Sequence, residues 1–156
     1  MLKSSSPYGA FSKVKMVTGT SYTDSKVQME KAYVYKIVPC SKVKGEFVYG
    51  NESKAFTGKL KLAKPSIKSL KRGKKKATIK WGKVYGAKGY VIYRSTKKSS
   101  GFKAVKKIKS GSTVKYVNKK LKSKKRYYYK VRAYVTVGGK TVYSPYSTVK
   151  SVRTYR

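Results

Sequence analysis

Residues suited to acid–base, nucleophilic or metal chemistry are scarce in this sequence. The 156-residue chain has no histidine, one cysteine (Cys40) and four carboxylates, Asp24, Glu30, Glu46 and Glu52. A general acid–base pair, a Ser–His–Asp relay or a metal cluster needs residue types that are nearly missing here. We therefore expect no enzymatic activity and no cofactor. We expect Cys40 to be a small apolar residue on a strand rather than a reactive thiol.

The chemistry that the composition favours is the binding of anions. The chain carries 41 Lys and Arg residues and a formal net charge of +37. Residues 1–62 hold 11 of these basic residues and all four acids, whereas residues 63–156 hold the other 30 and no acid. Lysine predominates over arginine. Because base readout relies on the arginine fork, this favours sequence-independent contacts with phosphate or sulfate over recognition of a DNA sequence.

An internal repeat organises the chain. The segment "YKIVPCSKVKGEFVYGNES" (35–53) lies over "YKVRAYVTVGGKTVYSPYS" (129–147) without a gap, at an offset of 94 residues. Upstream, "YTD" (22–24) falls on "YVN" (116–118), and "FSKV" (11–14) falls on "FKAV" (102–105) after a three-residue change in length. A repeat of about 94 residues does not fit twice into this chain. We therefore expect a fragment of a tandem array, in which the counterparts of residues 65–95 would precede Met1.

Residues 65–156 alternate between apolar and polar positions in short runs separated by turn signals. Such a pattern is typical of a β-sandwich, and a helical period is absent. The seven predicted strands are 65–70, 76–84, 89–95, 102–108, 113–118, 126–135 and 141–154. The residues expected in the core are Ile79, Trp81, Tyr90, Ile92, Leu121, Tyr127, Tyr129 and Val131, with Tyr33, Tyr35 and Ile37 in the first copy.

The stretch "KKRYYYKVRAYV" (124–135) allows two interpretations. Its tyrosines could form a basic stacking platform for nucleic acid, or they could alternate along a strand. In the first copy, Val34 stands at the outward position of the middle tyrosine, Tyr128, which a stacking platform does not predict. We therefore interpret the stretch as the sixth strand of the sandwich.

These residues resemble a fibronectin type III domain, and more narrowly the Lys-rich versions in cell-surface proteins of Gram-positive bacteria. The resemblance rests on "PSIKSLKRGKKKATIKWGKVYGAKGYVIYRS", "LKSKKRYYYKVRAY" and "YSPYSTVKSVRT". Trp81 matches the family's core tryptophan, while Leu121 and Tyr127 match its leucine and tyrosine corner, a spacing repeated by Val27 and Tyr33. The resemblance implies an extracellular location and an immunoglobulin-like sandwich of seven strands over residues 63–156. Residues 1–62 would be the truncated C-terminal part of a preceding domain. The family's Arg-Gly-Asp triplet is absent.

The family topology implies that three lysine-rich loops share one end of the sandwich. They are residues 71–76, 95–101 and 118–126. The candidate polyanion-binding residues are Arg72, Lys74, Lys75, Lys76, Lys97, Lys98, Lys119, Lys120, Lys122, Lys124, Lys125 and Arg126. They could be a solvated face that keeps an array extended. Alternatively, they could adhere to wall teichoic acid, host glycan sulfate or nucleic acid.

Residues 1–62 form an incomplete sandwich in this interpretation. Four strands are predicted, at about 10–17, 20–24, 32–43 and 47–57. They leave the inward face uncovered, so we hypothesise completion by upstream sequence or by strand exchange with a second chain.

The sequence leaves three functions open. The first is a non-catalytic spacer and adhesive module of a bacterial surface protein, with neighbouring domains of the same polypeptide and anionic polymers as partners. The others are a sequence-independent nucleic-acid-binding protein and a virion or filament component. No apolar run approaches the roughly 20 residues of a membrane helix, so we expect no membrane insertion.

Overall fold

The computed structural model describes all 156 residues and is built of β-strands only, as predicted. No helix that could span a membrane is present. The chain divides into two compact units, Met1–Leu60 and Lys61–Arg156, which are described separately below.

The first unit holds six short strands. They are β1 (Leu2–Ser4), β2 (Ser12–Lys13), β3 (Ala32–Lys36), β4 (Cys40–Val43), β5 (Glu46–Tyr49) and β6 (Phe56–Lys59). Four of them form an antiparallel sheet in the order β2-β1-β3-β6, and β4 and β5 form a separate hairpin. Strand β1 was not predicted, and the predicted strands 32–43 and 47–57 are each interrupted.

The second unit holds eight strands in two sheets. They are β7 (Ile67–Gly73), β8 (Lys76–Trp81), β9 (Gly89–Ser95), β10 (Lys103–Ile108), β11 (Lys115–Asn118), β12 (Arg126–Val137), β13 (Lys140–Tyr143) and β14 (Lys150–Arg153). One sheet has the order β11-β8-β7. In the other, β12 lies between β9 on one side and both β13 and β14 on the other. Because β13 and β14 are two parts of one predicted strand, the seven-stranded sandwich is confirmed.

The core of the second unit lies between the inward faces of its two sheets. All eight side chains predicted to be buried in this unit are at most 5% exposed. Trp81 packs edge-on against Tyr90, with ring centroids 5.3 Å apart. The Tyr90 hydroxyl accepts a hydrogen bond from Val84 N and donates one to the carbonyl of Gly111, so its polar end is satisfied within the core.

Two buried serines bridge the interruption between β13 and β14. Ser147 N donates to the Val131 carbonyl (2.7 Å), and the Ser147 hydroxyl accepts from Val131 N (2.9 Å). Ser144 makes the same pair of bonds with Ala133. The serine hydroxyls thus replace the carbonyl acceptors that a regular ladder would supply, although Pro145 breaks the strand.

The 94-residue repeat is also a structural repeat. Tyr33 and Tyr127, 94 residues apart, each accept a hydrogen bond at the ring hydroxyl from a backbone N–H five residues upstream. The registers of β3 with β6 and of β12 with β14 match residue for residue at the same offset. Glu30 and Lys124, also 94 apart, both adopt a positive φ, of 62° and 53°.

Two side-chain placements in the first unit were predicted wrongly. Ile37 was expected in the core but is 52% exposed, whereas its counterpart Val131 is fully buried. Val131 faces the sheet formed by β11, β8 and β7, and the first unit has no segment in the place of β7 or β8 to cover Ile37. Val34 was expected to face solvent, yet it is 3% exposed and lies beside its cross-strand neighbour Ser4, which is also buried.

Residues 20–24 were predicted as a strand, and the structure shows none there. Their counterparts in the second unit belong to β11, which forms by pairing with β8. The first unit contains no equivalent of β8, so this segment has no partner with which to exchange backbone hydrogen bonds.

The hydrogen bonds between Ser147 and Val131 should contribute measurably to the stability of the second unit. Ser147→Ala leaves the buried Val131 N–H without its acceptor and should lower the free energy of unfolding of the second unit by about 1–3 kcal/mol. Trp81 is the only tryptophan, so its fluorescence during urea denaturation reports on this unit. The control, Thr148→Ala, changes an exposed neighbour and should cost less than about 0.5 kcal/mol. Equal effects of the two substitutions would contradict the assigned role of the hydroxyl.

A candidate polyanion-binding pole

Strand register brings the three lysine-rich loops to one end of the second unit. Gly73 of β7 pairs with Lys76 of β8, and the next residue, Ala77, pairs with Asn118 at the end of β11. At the same end, Ser95 closes β9 opposite Tyr128, near the start of β12. The first and third loops are also joined directly, because Leu121 N donates to the carbonyl of Lys75 (2.9 Å).

All twelve predicted side chains are exposed at this end, which we name the lysine pole. The pole comprises Arg72, Lys74, Lys75, Lys76, Lys97, Lys98, Lys119, Lys120, Lys122, Lys124, Lys125 and Arg126. The second unit has no Asp or Glu, and the three side-chain ion pairs of the structure all lie in the first unit. The positive potential of the pole is therefore not offset by neighbouring carboxylates.

Two further basic residues, Arg153 and Arg156, lie near the pole and were not among the predicted residues. Strand β14 runs antiparallel to β12 with Arg153 opposite Arg126, so the end of the chain returns to the start of β12. The Arg153 Nε donates to the Lys124 carbonyl (2.9 Å), and Arg156 follows two residues after Thr154. The direction of the last strand could have indicated the position of Arg153. Because β14 runs antiparallel to β12, the loop before β12 and the end of β14 must lie at the same end of the sheet.

The backbone of the pole is held in place by hydrogen bonds. Lys75, Lys120 and Lys124 adopt positive φ values of 46°, 57° and 53°, a region that costs a side-chain-bearing residue about 1 kcal/mol. Around them, Lys122 N donates to the Tyr127 hydroxyl, and the Thr154 hydroxyl lies 2.6 Å from the Lys122 carbonyl. The lysines thus project from an ordered loop framework.

Basic side chains of β12 contact aromatic rings of neighbouring segments in the same unit. The Arg132 guanidinium lies 3.7 Å from the ring centroid of Tyr143, and the Lys130 ammonium lies 3.8 Å from that of Tyr146. Tyr93 also contacts this group, and burial raises the pKa of its hydroxyl. These rings are engaged in intramolecular cation–π contacts. Within residues 124–135, Tyr127, Tyr129 and Tyr134 are at most 5% exposed, which disfavours an open stacking platform for bases.

Asp24, a half-buried acid of the first unit, has two side-chain partners. The Asp24 carboxylate accepts hydrogen bonds from the Lys3 ammonium (2.6 Å) and the Tyr35 hydroxyl (3.1 Å). The bond from Lys3 is the main reason that the pKa of Asp24 is lowered, and burial, with the bond to Asp24, raises the pKa of Tyr35 to about 12. In the second unit the corresponding residues are Arg94 and Asn118, 3.5 Å apart, so an amide replaces the carboxylate.

Comparisons with known proteins bear on the fold. The sequence matches no protein-family model and no curated protein. A β-1,2-glucanase from Parabacteroides distasonis is 24% identical with a TM-score of 0.53, over 69% of this chain and 16% of the glucanase chain. The FN1–FN3 domains of chicken CNTN1 are 19% identical with a TM-score of 0.52, over 86% of this chain and 45% of that chain.

A third similar structure, an Fn3-like protein from Clostridium thermocellum, is 23% identical with a TM-score of 0.48, over 61% of this chain and 95% of that chain. The fold is that of a fibronectin type III sandwich. At these identities the likeness extends to the fold alone, and this chain spans less than half of the glucanase and CNTN1 chains.

The two units should differ in their response to acid. A lowered folded-state pKa means that Asp24 stabilises the first unit above its unfolded pKa of about 3.9, and that this contribution is lost as pH falls through the folded pKa. The second unit has no Asp, Glu or His, so its stability should stay nearly constant from about pH 4.5 to 8.5. Urea denaturation followed by backbone amide NMR signals of each unit measures both.

Asp24→Asn is the matched variant, because it installs the amide found at Asn118 in the second unit. At pH 7 it should destabilise the first unit by about 1–3 kcal/mol, since the Lys3 ammonium loses its charged acceptor. It should also remove the acid-dependent part of the stability. An unchanged acid response in this variant would show that Asp24 is not its source.

Proposed function

We propose that this chain is a non-catalytic extracellular module that acts as a spacer and binds anionic polymers through the lysine pole. The observation that carries the proposal is the convergence of twelve exposed cations from three loops on one end of a unit that has no acid. The fold supports the spacer role, since sandwiches of this kind recur as modules of longer chains. The matches to parts of a glucanase and of CNTN1 are consistent with it.

A polymer suits this site better than a small anion does. The pole's cations are exposed, and a single exposed ion pair contributes at most about 1 kcal/mol to binding. A chain of phosphate or sulfate groups can contact many lysines at once and release its condensed counterions, which adds many small contributions. A fixed loop backbone reduces the ordering cost on binding.

Wall teichoic acid is the polymer class that we place first. The proposal of a Gram-positive surface location rests on the resemblance to Lys-rich fibronectin type III domains, and teichoic acid is the phosphate polymer of that surface. Lysine point charges suit flexible phosphodiester chains, which offer no fixed planar pattern for arginine to read. Nucleic acid offers the same phosphate chemistry, so the experiment below compares the two directly.

The test compares two variants that lose the same charge at opposite ends of the second unit. Lys74, Lys98, Lys119 and Lys122 are changed to Gln in the pole variant. Lys83, Lys88, Lys109 and Lys140, which are exposed in or directly beside the loops at the other end, are changed to Gln in the control. We expect the pole variant to bind labelled wall teichoic acid at least tenfold more weakly at 0.15 M salt, and the control to bind within about threefold of wild type.

The salt dependence gives a second readout. Each phosphate contact on nucleic acid contributes about 0.7–0.9 to the slope of log K against log salt, so the pole variant should lose about 2–4 from that slope. Equal losses in both variants would mean that binding follows net charge and not the pole. Preferential binding of duplex DNA over teichoic acid at equal phosphate concentration would overturn the choice of polymer.

A further inference from the structure

The first unit has an open face where the second unit has β7, β8 and the beginning of β9. Strand β1 pairs with β3 in the register in which the end of β9 pairs with β12, so Ser4 corresponds to Ser95. It therefore takes the place of the last three residues of β9. No segment of the first unit takes the place of β7, of β8 or of Gly89–Val91.

Apolar side chains lie exposed at this face. Ile37 and Phe56 are 52% and 49% exposed, respectively. They line a cleft of about 960 Å³ together with Met16, Val17 and Tyr22. In the second unit the position of Ile37 is occupied by Val131, which is fully buried under the opposite sheet. The cleft thus lies where the fold normally packs its second layer.

A backbone edge borders the cleft. Ile37 O and Pro39 O accept hydrogen bonds from Ser53 N and Gly50 N, so these two residues face that side of the sheet. Because backbone groups of successive strand residues point to opposite edges, those of Val38 and Cys40 face the open side. In the second unit the counterpart of Cys40 is Tyr134, whose carbonyl accepts from Lys88 N (2.8 Å).

Pro39 does not obstruct pairing along this edge. Its counterpart is Ala133, whose N–H donates to the Ser144 hydroxyl, on the side away from β9. A proline at this position therefore lacks only a donor that the incoming strand would not use, and Gly50, which stands at the position of Ser144, has no hydroxyl to be left unpaired. The edge remains competent to accept a strand.

We propose that the open face of the first unit is a docking site for a strand-forming polypeptide segment built like residues 65–91 of this chain. Such a segment would place alternating Ile, Trp and Tyr side chains in the cleft and lysines outward. Its last residues would pair with the Val38–Cys40 edge in the register that Val131–Tyr134 adopt with Gly89–Ile92, and its earlier strands would form the opposite sheet, as β7 and β8 do in the second unit.

The occupant that we infer is a segment with this apolar pattern that is not already packed in a folded sandwich, which excludes residues 65–91 of a second copy. In the second unit those residues are part of the folded core, where Ile79 is fully buried and Trp81 is 2% exposed. A second copy could donate them only by unfolding its own sandwich. This inference does not depend on polyanion binding, so experiments can contradict one of the two proposals and leave the other standing.

The test measures protection of a thiol placed in the cleft of the full chain. Ile37→Cys in a Cys40→Ser background puts the only thiol at the position that Val131 buries in the second unit. Phe47→Cys in the same background is the control, because Phe47 is similarly exposed (47%) and its counterpart Thr141 is also exposed. A synthetic peptide with the sequence of residues 63–91 is added at 0.3 M salt, which screens the repulsion between two basic partners.

We expect the peptide to slow alkylation at position 37 at least tenfold and at position 47 less than twofold. A peptide carrying Ile79→Ser and Trp81→Ser should protect neither position, since it lacks the side chains that fill the cleft. Equal protection by both peptides would overturn the proposal, because it would indicate binding without the apolar pattern.

A covalently linked copy of the segment tests the proposal even where the free peptide binds weakly. Residues 63–91 are copied directly before Met1, which corresponds to Ile92 and so continues the strand into β1. Protection at position 37 in this monomeric fusion supports the proposal, and continued reactivity there overturns it. Protection in the unfused chain without peptide, together with a dimer by light scattering, would also overturn it in favour of a second copy as the occupant.

Discussion

The structure depends on one long strand having neighbours on both edges. In the second unit, β12 hydrogen-bonds to β9 on one side and to β13 and β14 on the other, while its inward side chains form the centre of the core. The corresponding stretch of the first unit still pairs with β6 and β5 on one edge, but on the other edge it pairs only with the short strand β1. Exposed Ile37, the interrupted strand at Pro39 and the apolar cleft all follow from that loss.

Much of the fold, and the residues of the lysine pole, could be predicted from the sequence. The 94-residue offset correctly anticipated that Tyr33 and Tyr127 occupy equivalent positions, because the hydrogen bond of each tyrosine hydroxyl involves a residue only five positions away in the chain. Alternation correctly placed Trp81 and Tyr129 in the core. The position of the lysine pole followed only from the topology of the resembling family, since the three loops are distant in sequence and meet through strand register.

The errors have a common physical cause. Residues 20–24 and 116–118 share local sequence features, yet only the latter pair with a neighbouring strand and form β-structure. Ile37 and Val131 are likewise equivalent along the chain and differ in what covers them. Strand formation and burial are properties of a pair of segments, so a pattern within one segment cannot fix them. Arg153 was not predicted at the pole for the same reason, because its neighbours come from the start of β12.

The left-handed backbone position shared by Glu30 and Lys124 shows that backbone conformation and side-chain charge vary independently in this repeat. Both residues adopt the same conformation at the same point of the repeat, and they carry opposite charges. The chain geometry therefore specifies where a side chain projects and leaves its sign open. Units of identical shape could therefore carry an acidic, neutral or basic end, and the charge presented at this position could differ between repeats without any change of fold.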